Sequence, residues 1–311
     1  MRTSSLLGLA AALCALLLAG CGGGKSEEPA GGDLDVIATT TIWGDLVRNA
    51  TCADASVETL LSVGEDPHSI ELSARQAAEL RNATLVVANG LDLEEAFTDV
   101  LLDARDSGTA VLFVAEELDP IPFGMSGSNE SSDRVTALDP HVWMDPLRVA
   151  EGVRLIAAEL SARTETDHTA CAEAYVARLE ALDREIAGLL ESVPAQSRNL
   201  VTNHDALGYF AARYGFVVVD TVIPGGATLA EPSAGDIVDL VERIDSAGVR
   251  AIFTDETSSA ELARLVADET THRVEIVPLF SGSLGHAGSG AETYVGMLRT
   301  NAERVADALS R

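Results

Sequence analysis

Residues 35–62, DVIATTTIWGDLVRNATCADASVETLLS, contain the pattern that decides the fold of this 311-residue chain. Apolar, strand-like runs cover Asp35–Thr40 and Val57–Ser62, and the segment near Ile42–Ala50 between them has helical character. A strand, a helix and another strand in this order are typical of a parallel sheet covered by helices.

The same alternation continues along the rest of the chain. Further strand candidates are Thr84–Asn89, Ala110–Ala115, Leu200–Asn203, Val217–Val222, Ala251–Thr254 and Glu275–Leu279. Further helix candidates are Ser73–Arg81, Leu93–Arg105, Ala206–Tyr214, Ser233–Ala247, Ser259–Thr270 and Ala291–Leu309. Residues 119–138, rich in Pro, Gly, Ser and Asn, predict a long loop.

A mostly helical stretch separates the two halves, from Leu147 to about Ser192, and Pro194 ends it. The sequence therefore predicts an α/β protein with two similar lobes, residues 34–146 and 194–311, joined through residues 147–193 by one long helix. Ligands of open α/β sheets bind beyond the carboxyl ends of the strands, so we expect a site in the cleft between the lobes.

The N-terminus has the features of an export signal. Arg2 precedes the apolar run Leu6–Gly20, which is shorter than the roughly 20 residues that span a membrane. The run ends in Leu18-Ala19-Gly20-Cys21, which resembles a bacterial lipobox. This resemblance implies a signal peptide at residues 1–20, lipidation of Cys21, and a flexible tether over residues 22–33. The protein would then be anchored to the outer face of the bacterial cell membrane. The alternative is an ordinary signal peptide that contains a cysteine.

Cysteine usage agrees with export. Of four cysteines, Cys14 lies in the leader and Cys21 at the lipobox, which leaves Cys52 and Cys171. Two cysteines in an exported protein predict one disulfide. Two buried free thiols are the alternative. Neither residue lies in a CxxC pair, so a redox or zinc-thiolate site is not indicated.

The charge balance excludes several classes of partner. Acidic residues outnumber basic ones 49 to 21, a formal net charge of −28. A phosphate-backbone partner needs a basic face, and so does attraction to an anionic membrane surface. Gly24-Lys25-Ser26 is the one Gly-Lys-Ser/Thr of the sequence, but Ala19 stands where a Walker motif needs its first glycine, so the sequence does not predict an ATPase of that class.

Three histidines follow predicted strands or loops. His68 lies in Asp66-Pro67-His68, His141 in Asp139-Pro140-His141, and His204 directly after the strand Leu200–Asn203. Proline restricts the backbone before the first two imidazoles. Three imidazoles that converge in a cleft suit Zn²⁺. The carboxylates expected to orient their rings are Asp66, Asp139, Asp145 and Asp205. For each histidine taken alone, a hydrogen-bonded loop residue is the simpler interpretation.

Four segments resemble the metal-binding lipoproteins of zinc and manganese ABC importers. They are DPHSIELSARQAAELRNATLVVANGLDLE (66–94), DPHVWMDP (139–146), NHDALGYFAARYGF (203–216) and SLGHAGSGAETYVGMLRTNAERVADAL (283–309). The resemblance extends from about Asp35 to the C-terminus. It implies two four-stranded lobes, a rigid linking helix and one metal ion in the cleft. It also implies that His68 and His141 bind metal, and that histidine at position 204 favours Zn²⁺ over Mn²⁺.

The resemblance implies a function as well as a fold. A lipoprotein of this family captures its metal outside the cytoplasm and delivers it to a membrane permease that is driven by an ATPase. We expect this chain to act as a monomer, with affinity that falls as histidines titrate near about pH 6.5. Two other functions stay open. One is a zinc-dependent hydrolase with an open three-histidine site and Asp205 or Glu256 as its base, although no HExxH is present. The other is a surface metal chaperone or adhesin that works without a transporter.

One position departs from the family pattern. The family usually supplies a carboxylate ligand just before Ser-Leu-Gly, and here Gly282 occupies that place. Water, His286 or Glu256 are the three candidates for the fourth ligand. The histidine-rich loop of some zinc-binding members is also missing, since residues 119–138 contain no histidine.

Overall fold

Two parallel sheets with the same internal order form the frame of the protein. The structure is a computed structural model that describes residues 34–124, 137–224, 228 and 230–310. The strands are β1 Asp35–Ala38, β2 Ser56–Thr59, β3 Leu85–Ala88, β4 Val111–Phe113, β5 Asn199–Thr202, β6 Val217–Thr221, β7 Ala251–Asp255 and β8 Glu275–Leu279. The first sheet has the order β2-β1-β3-β4 and the second β6-β5-β7-β8, with every pair parallel. The predicted fold class is confirmed.

Helices connect consecutive strands and cover the sheets. They are α1 Thr41–Ala50, α2 Ala74–Leu80, α3 Thr98–Asp106, α4 Pro146–Arg163, α5 Thr169–Leu190, α6 Gly208–Tyr214, α7 Ala234–Ala247, α8 Glu261–Glu269 and α9 Tyr294–Leu309. Local sequence sets their ends. The Thr40 hydroxyl accepts the Trp43 amide at the start of α1, and Gly215 ends α6 in the left-handed conformation that glycine adopts readily.

The helical stretch between the sheets consists of two helices. Asp145 caps α4 by accepting the Leu147 amide, and Pro146 takes the first helical position, where no amide donor is needed. Residues 164–168 separate α4 from α5, and α5 is the long helix that leads into the second sheet. It packs against α1, α4 and α9, so it contacts elements from both halves of the chain.

One hydrophobic core extends through both halves. It includes Val36 and Val87 of the first sheet, Leu200 and Phe253 of the second, and the inner faces of α4, α5 and α9. Each sheet also has one smaller hydrophobic cluster on its outer face. The cluster of the first sheet lies around Leu80 and that of the second around Leu240. The described residues therefore pack as one unit. The predicted lobe boundaries stay predictions.

The predicted disulfide between Cys52 and Cys171 is present, with Cα atoms 5.5 Å apart. It joins the chain just after α1 to the first turn of α5. Among the described helices, none has the length and apolar character that crossing a membrane requires. The predicted signal peptide, Cys21 and the tether lie outside the described residues, as do residues 125–136 of the long loop.

Candidate metal centre

His141 is held by its own Asp-Pro-His turn. Asp139 Oδ1 accepts two hydrogen bonds from it, one from the backbone N–H at 2.9 Å and one from ring Nδ1 at 2.8 Å. Both side chains are buried. Asn89, next to the end of β3, donates to the Pro140 carbonyl at 3.0 Å and so fixes the turn from the first sheet. In the tautomer that carries its proton on Nδ1, beside Asp139, the Nε2 lone pair is free for a metal.

His68 lies in the loop after β2 and is half-buried. Asp66 Oδ1 accepts the His68 backbone N–H at 3.0 Å, which turns the loop tightly at Pro67. The second oxygen of Asp66 accepts the Thr228 hydroxyl at 2.6 Å. The loop that carries His68 is therefore linked to a loop from the second half of the chain.

His204 comes two residues after β5, which is one of the two inner strands of the second sheet. The Thr202 hydroxyl donates to the His204 carbonyl at 2.7 Å, and the Asn203 amide continues the sheet by donating to the Phe253 carbonyl at 2.8 Å. His204 is 3% exposed. The end of a parallel strand thus places an imidazole in the cleft, as the sequence predicts.

The three imidazoles converge on one point. His141 Nε2 lies 3.3 Å from His68 Nε2 and 3.3 Å from His204 Nε2. Ligand nitrogens of all three residues lie within 4.8 Å of one another. Tetrahedral zinc with Zn–N bonds of about 2.0–2.1 Å needs nitrogens roughly 3.3–3.4 Å apart. The geometry therefore fits three corners of a tetrahedron.

Burial keeps the three rings neutral. It lowers the pKa of His68 to about 4 and of His141 to about 3, and it lowers that of His204 well below the usual 6.5, with repulsion between the rings adding to the effect at His68 and His204. The expectation that the ligands titrate near pH 6.5 is therefore wrong. Exclusion from water, which disfavours the charged imidazolium, is the physical reason.

Two carboxyl groups beside the site respond to burial in the opposite direction. Burial raises the pKa of Asp139 to about 8, against the lowering effect of the His141 amide. It raises the pKa of Asp255 to about 6. At pH 7 the first group carries a proton without metal, whereas the second is mostly charged.

The proposed protein candidates for a fourth ligand lie elsewhere. Glu256 forms an ion pair with Arg304 at 2.9 Å, and His286 is exposed, with Nε2 close to Gly64. In the described part of the chain, no other His, Cys, Asp or Glu joins the group of three histidines. A Cβ added to Gly282 would lie 3.1 Å from Pro67, so the loop packs closely against the turn before His68.

The predicted carboxylates differ in what they do. Asp66 and Asp139 support the loops that carry His68 and His141, whereas Asp145 caps α4 and lies 3.4 Å from Arg213. Asp145 was expected to orient a ring and instead serves the linking segment, because it directly precedes the helix there. Asp205 is buried.

Sequence reasoning missed Asn89 and Gly208. A Cβ on Gly208 would lie 2.6 Å from Asp139 Oδ2, so any larger residue where α6 begins would crowd this carboxylate. Asn89 could have been found from the sequence, because a polar residue directly after a predicted strand is expected near the ligand site. Nothing in the local sequence marks Gly208.

Comparison with known proteins finds metal-binding relatives. The model of the family described as "Zinc-uptake complex component A periplasmic" (ZnuA) matches residues 36–308. The chain is 32% identical to the zinc-binding protein TroA of Treponema pallidum over 93% of this chain and 92% of that protein. It is 30% identical to the manganese-binding lipoprotein MntA of Bacillus subtilis over 94% and 95% of the two chains.

Solved structures of periplasmic metal-binding proteins have the same fold. The periplasmic zinc-binding protein TroA from Treponema pallidum superposes with a TM-score of 0.79 at 32% identity, covering 90% of this chain and 100% of that one. A manganese-bound periplasmic metal-binding protein from candidatus Liberibacter asiaticus has a TM-score of 0.74 at 25% identity, with 88% and 98% coverage.

Proposed function

This chain belongs to the zinc-uptake complex component A family, and on that premise we propose that it captures Zn²⁺ and delivers it to an ABC importer. His68 and His141 bind the ion from the first half of the chain, and His204 binds it from the second. The ion is cargo, held outside the cytoplasm until the permease takes it.

The observation that carries this proposal is the spacing of the three Nε2 atoms. Two separations of 3.3 Å fit a tetrahedral zinc ion, and all three ligands are imidazoles. Imidazole suits zinc, whereas manganese prefers carboxylate oxygen. Because relatives that bind zinc and relatives that bind manganese are about equally similar, the ligand set rather than the similarity supports zinc.

Water completes the coordination in this proposal. His286 and Glu256 stand outside the cluster, and Gly282 offers no side chain. A site with three neutral ligands and one water releases its ion more easily than one with an added carboxylate, which suits a protein that must hand its cargo on.

The partners follow from the proposed role. A membrane permease and its cytoplasmic ATPase receive the metal, and the lipid on Cys21 keeps the monomeric protein at the outer face of the cell membrane. A single core runs through both sheets and resists hinge closure, so ordering of the loops around His68 and His204 signals the loaded state. The family is described as a component of an uptake complex, so we propose no catalytic role.

The test is elemental analysis and metal titration of residues 22–311. We expect about one zinc ion per chain, which manganese does not displace at equal concentration. His68→Ala, His141→Ala and His204→Ala should each lose it, whereas His272→Ala, whose ring bonds to the Val249 carbonyl, should not. A wild-type protein without bound zinc, or binding that survives all three substitutions, would refute the proposal.

A further inference from the structure

His204 lacks the support that His141 has. Its Nε2 faces His141, and its Nδ1, on the opposite side of the ring, is buried with no hydrogen-bond partner among the protein atoms. Buried polar nitrogens are nearly always paired with protein or with ordered water. A metal-binding imidazole in particular almost always donates its second N–H to an acceptor.

A small cavity lies behind this ring. Its walls include His204, Asn203, Thr254, Asp255 and Ser281, but neither His68 nor His141. It is therefore separate from the space between the three imidazoles. About 10 Å³ of it is open to the centre of a water molecule, which is close to the space that one buried water needs.

Asp255 is the charged group in the wall of this cavity. It ends β7, the strand next to β5, and is 4% exposed. Oδ1 accepts the Thr257 amide at 2.6 Å and also the Thr257 hydroxyl, and Oδ2 accepts the Ser281 hydroxyl. Oδ2 lies 3.8 Å from where a Cβ of residue 282 would stand. The carboxylate is thus fixed close to the position at which Gly282 supplies no charge.

We propose that Asp255 is a positioning residue of the metal site, joined to His204 Nδ1 through one water molecule in this cavity. The inference rests on the proposed metal-binding function. His204 Nδ1–H donates to the water, and the water donates to the Asp255 carboxylate. These two hydrogen bonds fix the His204 tautomer whose Nε2 lone pair faces the metal. They also place a negative charge behind a site whose ligands are all neutral.

The first experiment compares zinc affinities by competition with a chromophoric chelator. Asp255→Asn keeps the shape and removes the charge, and we expect a loss of about tenfold, at the lower end for groups that support a metal ligand. Asp255→Glu keeps the charge and places its longer carboxylate where the water would lie, so it should lose less affinity than Asp255→Asn. Thr254→Val is the control, because it changes an uncharged residue in the wall of the same cavity. It should bind zinc as the wild type does.

The outcomes separate the inference from the function beneath it. Wild-type affinity in Asp255→Asn, an equal loss in Thr254→Val, or no rescue by Asp255→Glu would overturn the role of Asp255. A crystal structure without metal tests the water independently: a water within hydrogen-bond distance of both His204 Nδ1 and Asp255 supports the relay, and a dry cavity refutes it. Failure of the wild type to bind zinc would refute the proposed function and with it the positioning role of Asp255, whereas loss of affinity in the variants alone concerns Asp255.

Discussion

His141 and His204 occupy opposite walls of the same site and are buried to nearly the same extent, yet they are supported differently. His141 bonds directly to Asp139, two residues before it in the chain. His204 has an unpartnered Nδ1 and faces a cavity whose carboxylate, Asp255, lies 51 positions away on the neighbouring strand. One wall is built by a local motif and the other by the packing of two strands, so the two walls should respond differently to mutation and to pH.

Removal of the local carboxylate should produce the largest effect. Asp139→Ala takes away the acceptor for both the ring and the backbone of His141, and we expect zinc affinity to fall by about 10–100-fold. Asp139→Asn, which keeps an acceptor, should fall less. Competition titrations of these variants and of Asp255→Asn compare how much zinc affinity depends on the support of His141 and on that of His204. A larger loss for Asp255→Asn than for Asp139→Ala would reverse the comparison.

Crowding of the Asp139 carboxylate should have the second-largest effect. Gly208→Ala places a methyl group 2.6 Å from Asp139 Oδ2, and such overpacking costs about 1–3 kcal/mol of unfolding free energy. Gly188→Ala in α5 is the matched control, because its added Cβ meets nothing within 4 Å. It should be neutral or stabilise the protein by up to about 1 kcal/mol. Chemical denaturation of both variants measures this, and equal stability would show that the Gly208 contact is unimportant.

Proton release on zinc binding should give an effect of intermediate size, and it should depend on the carboxylate beside His141. Without metal, burial raises the pKa of Asp139 to about 8, and a dication on His141 favours the charged carboxylate. Zinc binding at pH 6–7 should therefore release a proton from Asp139. Affinity should rise with pH by at most about tenfold per unit and level off above pH 8.

Calorimetry in buffers of different ionisation enthalpy counts the protons released. Between about pH 7 and 8, where Asp255 is already charged, Asp139→Asn should abolish this pH dependence and Asp255→Asn should leave it in place. Release centred near pH 6.5 in the wild type would instead mean that the histidines titrate as free imidazoles do.

Restoring a carboxylate to the loop should have the smallest effect. Gly282→Asp adds an oxygen ligand, which should improve manganese binding relative to zinc. Pro67 at 3.1 Å and Asp255 at 3.8 Å from the new Cβ oppose it by crowding and by like charge, so we expect a gain of only severalfold. Parallel titrations with both metals measure the ratio. An unchanged ratio would mean that position 282 does not reach the metal in this protein.

The strands and helices could be predicted because their signals are local. Strand runs such as Leu85–Ala88 are continuous and apolar, and α1 and α7 begin at side chains that cap them. The break at residues 164–168 was not predicted, since helical spacing continues on both sides of it. The three histidines were found because each follows a strand or loop in a polar context, and Asp139 because it shares a motif with His141.

The sequence by itself therefore determined the alternation of strands and helices, the disulfide pair and the identity of the three imidazoles, since each depends on residues close together in the chain or on a simple count. Only the tertiary structure decided the spacing of the Nε2 atoms, the depressed histidine pKa values and the position of Asp255 behind His204. These depend on burial and on distances between segments far apart in sequence. Exclusion of water and contact across strands are properties of the packed molecule, and no stretch of residues carries them alone.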